Sequence, residues 1–260
     1  MTLLQLLNME PAIQSPSKSR SYFATTKWAL VRDAGSDSEP AREQALESLL
    51  FHYRPALCEY LRRRHGYPEA VSEDLVQGFV LDKVLRKNLI SKARQSRGKF
   101  RTFLATAINA YAADVYRFEQ AKRRRPEGGT TPLTTELVQR LEEPQTTSDP
   151  LFDETLVRQI ITEALHETRQ YCTQSGIPEA WTVFNERVLN PIFEQVDPTS
   201  FENLTERCGF ATIKETRNKL VSAKRVFQRQ FRTKIKEFSE SATEADEEIA
   251  FLSQFLDDAS

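Results

Sequence analysis

Apolar side chains recur at intervals of three and four residues in two neighbouring stretches of the chain, which is the pattern of an amphipathic helix. The first stretch is Val71–Asn88 and the second is Phe100–Lys122. A short segment rich in lysine and arginine, Lys92–Lys99, separates them. We therefore predict two helices joined by a basic loop.

The same spacing predicts helices before these two. Ala41–Arg63 carries leucines and tyrosines on one face, and Pro55 inside it predicts a bend or a restart of the helix. Further upstream, Thr25 or Thr26 can cap a short helix that buries Trp28 and Leu30. Signals for β-strands are nearly absent from the sequence, so we predict an all-α fold.

The second half of the sequence predicts several helices, and the last two have a helix-turn-helix layout. Helices are expected over residues 152–171 and 178–189, and a short helix then ends at Gly209, which can adopt the left-handed conformation. Thr212 and Glu215 have the spacing of a capping box and open a long basic helix. This arrangement is typical of DNA-binding domains.

Composition predicts a division into two helical domains. Residues 126–151 are rich in proline, glycine, serine and threonine, which favours a flexible linker. We therefore predict domains at residues 22–125 and 152–238, an N-terminal extension at residues 1–21 and an acidic tail at residues 239–260. The tail has an apolar helical face, which either packs back on the second domain or forms an acidic, autoinhibitory flap over a basic DNA-binding surface.

The net charge of −1 hides a strong segregation of charge along the sequence. Residues 83–125 contain 13 lysines and arginines against two acids, and residues 204–236 contain ten bases against two acids. Residues 127–154 contain seven acids and one base, and residues 240–260 contain seven acids and no base. Basic blocks that also carry aromatic residues are suited to nucleic acid, because cations bind phosphates and rings stack on bases.

Signs of catalysis, metal binding or membrane insertion are missing from the sequence. Cys58, Cys172 and Cys208 are far apart and do not have the spacing of zinc ligands. The sequence contains no glycine-rich phosphate loop and no nucleophile elbow. It also lacks an apolar stretch long enough for a membrane span and a convincing signal peptide. We expect a cytoplasmic protein that is not an enzyme and needs no metal or cofactor.

Three sequence motifs stand out in and around the two predicted helices: Glu73-Asp-Leu-Val-Gln-Gly-Phe79, Arg97-Gly-Lys-Phe-Arg-Thr-Phe-Leu104 and Ile108-Asn-Ala-Tyr-Ala-Ala-Asp114. Together they resemble region 2 of the sigma-70 family of RNA polymerase sigma factors, and the extracytoplasmic-function type most closely. Residues 201–227 resemble region 4 of the same family more loosely. They have Ser222-Ala-Lys-Arg225 where the family usually has an arginine-rich run.

The resemblance implies how such a chain acts. Region 2 grips the clamp of core RNA polymerase and opens promoter DNA, and region 4 reads the upstream promoter element. The implied partners are core RNA polymerase, through its clamp and flap regions, promoter DNA, and a regulatory protein such as an anti-sigma factor. Asp74, Gln77 and Phe79 match the polymerase-binding positions.

Candidate DNA-binding residues lie in both basic blocks. Asn109 occupies the family's position for an asparagine in this helix, and helical phase predicts that Asn109, Arg101 and Tyr116 are exposed. The other candidates in the first block are Lys99, Arg117, Arg123 and Arg124. In the second block the outward positions are Lys214, Arg217, Asn218, Lys219, Ser222, Lys224 and Arg225.

The helix-turn-helix layout assigns different expected contacts to these outward residues. Arg217 and Asn218, near the helix start, are placed for base edges, whereas Lys224 and Arg225 are placed for phosphates.

Other interpretations of the same residues remain open. Glu73 and Asp74 are also favourable simply as acids in the first turn of a helix. The chain as a whole also fits a helix-turn-helix regulator that binds duplex DNA without polymerase. A third reading is a sigma-like decoy that sequesters a partner.

Overall fold

The computed structural model describes residues 27–124 and 149–238, and within them the side chains of residues 27–118 and 149–237. All regular elements in these two ranges are helical, and no strand occurs there, so the prediction of an all-α fold is confirmed for this part of the chain. The predicted extension and tail, and nearly all of the predicted linker, lie outside the described residues. No helix in the described ranges is long and apolar enough to cross a membrane.

The helices follow one another in a simple order. They are α1 (Trp28–Ala34), α2 (Glu39–His65), α3 (Glu69–Phe79), α4 (Phe100–Arg124), α5 (Pro150–Gln174), α6 (Pro178–Phe184), α7 (Asn190–Phe193), α8 (Phe201–Arg207) and α9 (Ile213–Phe238). π-Helical turns at Val80–Leu85 and Asn185–Leu189 extend α3 and α6. Two 3₁₀ turns, Leu89–Lys92 and Gln95–Arg97, form the basic connection before α4.

These elements fall into two compact units, which divide within α5 between Gln159 and Ile160. The first unit contains α1 to α4 and the start of α5, and the second contains the rest of α5 and α6 to α9. The sequence places the start of the second domain at residue 152, before this division. The first residues of α5 therefore pack with the first unit.

The core of the first unit forms around α2, which buries Leu49, Tyr53, Leu57 and Tyr60 on one face. The ring of Phe100, at the start of α4, lies edge-on to Tyr53, with 5.5 Å between ring centres. Pro55 lies inside α2, which continues through it as one helix to His65. Gly66 then ends α2 with a positive φ of 69°, a conformation that glycine adopts readily.

At the entry to the first unit, α1 differs in detail from its prediction. Its N-cap residue is Lys27, and Thr25 and Thr26 lie outside the described residues. Trp28 is buried as predicted, but Leu30 is only partly buried. Val31 is buried instead, because it lies three positions after Trp28 on the same face of the helix.

The second unit packs its long basic helix, α9, against α6. The rings of Phe184 and Phe227 are 5.8 Å apart, and Phe227 stacks on Phe231 at 5.9 Å. Thr216 and Ala223 are buried on the same face of α9, as helical phase predicts. The opposite face of α9 is thereby left for the polar residues.

Candidate nucleic-acid interface

Helix α3 presents a polar face that includes two of its three candidate residues. Asp74 and Gln77 are exposed, but Phe79 is only 1% exposed and packs edge-on against Tyr111, with 5.8 Å between ring centres. Phe79 therefore belongs to the core in this structure and is not presented to a partner. The reason is helical phase, since Phe79 lies three positions after the buried Val76.

Apolar side chains are also exposed along this helix and its π-helical extension. Val71, Leu81 and Leu85 have 41%, 45% and 42% of their surface accessible. Together with Asp74 and Gln77 they form a mixed polar and apolar surface, which we call the α3 face.

The basic connection before α4 provides a second exposed set of residues. Lys92, Arg94 and Arg97 are exposed, whereas Lys99 is half-buried. Arg94 donates hydrogen bonds to the carbonyl oxygens of Ser91 and Ala93, so its guanidinium is held close to the turn. The predicted loop is thus a pair of short turns that carries cations.

The prediction that Arg101 is exposed is wrong. Its side chain is almost completely buried, and its Nε lies 2.6 Å from Oδ1 of Asp153 in α5. The periodicity of α4 alone indicates an outward position, but the start of α5 covers this side of the helix. Asp153 is 52 residues away from Arg101 in sequence, so the local sequence pattern of α4 cannot predict this contact.

Asn109 is half-buried and both ends of its amide are hydrogen-bonded. Its Nδ2 donates to the hydroxyl of Tyr60 over 2.6 Å, and its Oδ1 lies 3.1 Å from Nε2 of His65. The hydroxyl of Tyr60 donates in turn to Oδ2 of Asp149 over 2.5 Å. Burial, together with this bond to Asp149, raises the pKa of Tyr60 well above its ordinary value.

The end of α4 matches its prediction where it is described. Tyr116 is 56% exposed and Phe118 is 50% exposed. Arg117 is also exposed and pairs with Asp114 one turn earlier. Arg123 and Arg124 lie in α4, but their side chains are outside the described residues.

In the second unit, a short turn joins α8 to α9, in the order that the sequence predicts. Gly209 has a φ of 70° in the turn, as its predicted left-handed conformation requires. The Thr212 hydroxyl oxygen accepts a hydrogen bond from the backbone N–H of Glu215 over 3.2 Å. The Glu215 carboxylate accepts from the backbone N–H of Ala211 over 3.1 Å. The capping box is confirmed, with the returning bond shifted by one residue.

The outward face of α9 is polar and cationic. Exposed residues on it are Lys214, Arg217, Asn218, Ser222 and Arg225, whereas Lys219 and Lys224 are half-buried. Desolvation lowers the pKa of Lys224. The hydroxyl of Ser222 donates to the carbonyl of Asn218 over 3.0 Å, so it is already engaged within the helix.

Two residues that were not predicted as candidates, Arg187 and Phe201, form a cluster with Arg217 at the start of this face. The guanidinium carbons of Arg187 and Arg217 lie 4.3 Å and 5.0 Å from the centre of the Phe201 ring. Such cation–π contacts restrict the guanidinium of Arg217 beside the start of α9. No local motif marks Arg187, which comes from the π-helical turn after α6. Phe201 lies in the stretch that resembles region 4, but it is not among the candidate residues there.

Comparison of this chain with protein-family models, with curated proteins and with solved structures finds no match. Within the described residues, no group of three or more histidine, cysteine, aspartate or glutamate side chains is arranged to hold a metal ion.

Proposed function

We propose that this chain is a sigma factor of the extracytoplasmic-function type, which binds core RNA polymerase and directs promoter recognition and opening. The observation that carries the proposal is that one chain combines the α3 face with a helix-turn-helix of cationic outward surface. The first element contains one of the three motifs that resemble region 2, and the second contains the stretch that resembles region 4; they occur in the same order as in the family. Neither element alone distinguishes a sigma factor from other helical proteins.

The α3 face supports the polymerase-binding part of the proposal. Asp74 and Gln77 are accessible, and Val71 and Leu81 are exposed beside them. Clustered apolar side chains at a surface are typical of protein contacts, and neighbouring acids and amides give such contacts their specificity. A basic helical partner, such as the polymerase clamp, would complement this composition.

The basic residues support the DNA-binding part. Arg217 and Asn218 are exposed near the start of α9, where recognition helices contact base edges. Tyr116 and Phe118 are exposed at the end of α4, where rings can stack on unpaired bases. The cations of Lys92, Arg94 and Arg97 are available for the phosphates of a displaced strand.

Binding to core RNA polymerase tests this proposal. The tagged chain is incubated with bacterial core polymerase and the retained subunits are quantified. Stoichiometric retention is expected for the wild type, and the Asp74→Ala/Gln77→Ala variant should bind about tenfold or more weakly, since a polar contact at an interface contributes about 1–3 kcal/mol.

A matched control is available on α2, where Gln44 and Glu47 are exposed and have the same spacing. Gln44→Ala/Glu47→Ala should bind polymerase as the wild type does. Absence of wild-type association, or equal weakening in both double variants, would contradict the proposal. Duplex DNA binding without polymerase association would favour the helix-turn-helix regulator.

A further inference from the structure

The start of α5 brings acidic side chains onto a cluster of arginines in the first unit. Asp149 Oδ2 lies 3.0 Å from an Nη atom of Arg64, and Glu154 Oε1 lies 3.0 Å from one of Arg63. Between these two acids in sequence, Asp153 pairs with the buried Arg101. Three carboxylates of one short segment are thus each matched to an arginine.

The neutral groups of this region are turned toward the same segment. Tyr60 donates its hydroxyl hydrogen to Asp149, and Asn109 donates to Tyr60. Phe152 lies edge-on to the Tyr60 ring, with 5.2 Å between ring centres, and is buried. Guanidinium groups and the half-buried amide of Asn109 therefore lie beside the segment, whereas the Tyr60 ring is fully buried and belongs to the core.

This set of groups has the chemistry of a nucleic-acid site. Guanidinium groups bind phosphate with the same paired donors that they offer to carboxylate. The carboxylates of Asp149 and Glu154 engage the guanidinium groups of Arg64 and Arg63, which would otherwise be able to bind the phosphates of a strand.

The three ion pairs differ in how deeply they are buried. The Arg101 and Asp153 side chains are 4% and 1% exposed, so this pair fixes the segment within the unit. The side chains of Arg63 and Arg64 are 29% and 44% exposed and remain within reach of a partner. Although burial favours protonation, hydrogen bonds from Arg158 and Arg63 hold the pKa of Glu154 below its ordinary value.

We propose that Asp149 and Glu154 act as an internal competitor that occupies Arg63 and Arg64 and so restrains the binding of a nucleic-acid strand to the first unit. The inference rests on the proposed function, because it regulates the DNA-binding surface that the function requires. It assigns Arg63 and Arg64 to that surface, although their position also fits a basic last turn that favours the dipole of α2. It also assigns an autoinhibitory role to a segment other than the acidic tail.

The test neutralises the two acids in the full-length chain and measures binding of a fluorescein-labelled single-stranded oligonucleotide. Asp149→Asn/Glu154→Gln keeps the size of both side chains, and asparagine also keeps the helix cap that Asp149 provides to the N–H groups of Leu151 and Phe152. We expect binding about 5- to 50-fold tighter at low salt. The slope of log K against log salt should also steepen by about 1.4, since two more cations become available.

A control variant removes the same charge elsewhere. Glu43→Gln/Glu47→Gln changes two exposed acids of α2 and should alter affinity less than about twofold, because exposed charges at a distance are screened. Adding Arg63→Ala/Arg64→Ala to the Asp149→Asn/Glu154→Gln variant should abolish its gain. If the far-UV circular dichroism spectrum shows that Asp149→Asn/Glu154→Gln is misfolded, Glu154→Gln alone serves as the test. The slope of log K against log salt should then steepen by about half as much.

The inference would be overturned if Asp149→Asn/Glu154→Gln bound the oligonucleotide with the same affinity and salt slope as the control variant. It would also be overturned if the increase in affinity persisted after Arg63 and Arg64 were replaced. Polymerase binding by the wild type is measured separately. A gain in strand binding without polymerase association would uphold the internal competitor and contradict the sigma-factor proposal. Polymerase association without tighter strand binding by Asp149→Asn/Glu154→Gln would support the sigma-factor proposal and contradict the internal competitor.

Discussion

Arg101 of α4 and Asp153 of α5 form an ion pair in which Nε lies 2.6 Å from Oδ1 and both side chains are almost completely buried. The pair connects a residue of the basic block to a residue of the acidic block that follows it in sequence. A cation held in this way contributes to the packing of the first unit and is not presented to DNA. It also fixes the position of the acidic segment that approaches Arg63 and Arg64.

Removing one member of this pair should strongly destabilise the first unit. Arg101→Met or Asp153→Leu leaves a buried charge without its partner, which costs about 3–5 kcal/mol, whereas the double variant should recover most of the loss. Urea unfolding followed by circular dichroism measures both effects. The exposed pair of Arg86 and Asp82 is the control, because Arg86→Ala should cost less than about 1 kcal/mol. Equal losses at the two pairs would contradict this interpretation.

Gly78 is required by the close approach of Tyr111. A Cβ atom at position 78 would lie 2.5 Å from the Tyr111 hydroxyl oxygen, which is too short for any real contact. Gly78→Ala should therefore destabilise the chain by about 1–3 kcal/mol, although alanine is the better helix former by about 1 kcal/mol.

The hydroxyl group can be tested directly as the cause. On a Tyr111→Phe background, Gly78→Ala should be neutral or stabilising, because the clashing oxygen is gone and only ordinary contacts remain. Thermal unfolding of the four proteins completes the cycle. A loss of the same size on both backgrounds would show that the hydroxyl is not responsible.

Lys234 should stabilise the second unit in a pH-dependent way. Its Nζ lies 2.7 Å from Glu167 and within 4.0 Å of Glu163 and Glu237. Desolvation lowers the pKa of Lys234, but the hydrogen bond to Glu167 and the nearby carboxylate charges outweigh it and raise the pKa above 10.5. A raised lysine pKa means that the contribution is fully present below the unfolded-state pKa and is lost as pH rises through the folded-state value.

Lys234→Met should accordingly lower the free energy of unfolding by about 1.5–3 kcal/mol at neutral pH, the usual range for a charged hydrogen bond. The difference from the wild type should shrink above pH 10.5. The control is Lys236→Met, an exposed position where the change should stay within about 0.5 kcal/mol. A difference in the free energy of unfolding between Lys234→Met and the wild type that grows above pH 10.5 would contradict this interpretation.

Arg217 and Asn218 should carry discrimination of the upstream promoter element. Replacing both by alanine removes the side chains placed for base edges. We expect about 10- to 100-fold less preference for a matched over a scrambled element, since the loss of one good bidentate base contact costs about 1–3 kcal/mol. The measurement compares transcription by the polymerase-bound chain from the two templates. Arg169→Ala/Gln170→Ala, an exposed pair on α5, is the control. Equal wild-type transcription from both templates would remove the basis of this prediction.

Local sequence patterns predicted the helices well, because helix spacing and capping act over a few residues. The start of α4 at Phe100 and the capping of α9 by Thr212 both follow from such short-range rules. The exposure of Tyr116 followed from helical phase for the same reason.

The errors arose where distant segments meet. Arg101 has the helical phase of an exposed residue, and only the packing of α5 against α4 buries it. Phe79 is a different case, because its position three residues after the buried Val76 already indicates the core, and only the family resemblance assigns it to polymerase binding. The division between the compact units falls within α5 for a reason similar to that at Arg101, since Phe152 and Glu154 of this helix contact Tyr60 and Arg63. Composition alone cannot reveal such contacts, because they depend on the three-dimensional packing.

Promoter-dependent initiation tests the central claim most directly. Core RNA polymerase is supplied with fragments of the source genome, with and without this chain, and the 5′ ends of the transcripts are sequenced. The sigma-factor account predicts that the chain causes initiation at a limited set of positions that share an upstream element. It also predicts that Asp74→Ala/Gln77→Ala makes these starts about tenfold or more rarer at limiting concentrations of the chain, in line with its weaker binding to polymerase. Transcripts whose start positions are unchanged by the chain, although it is folded and bound to polymerase, would contradict the account.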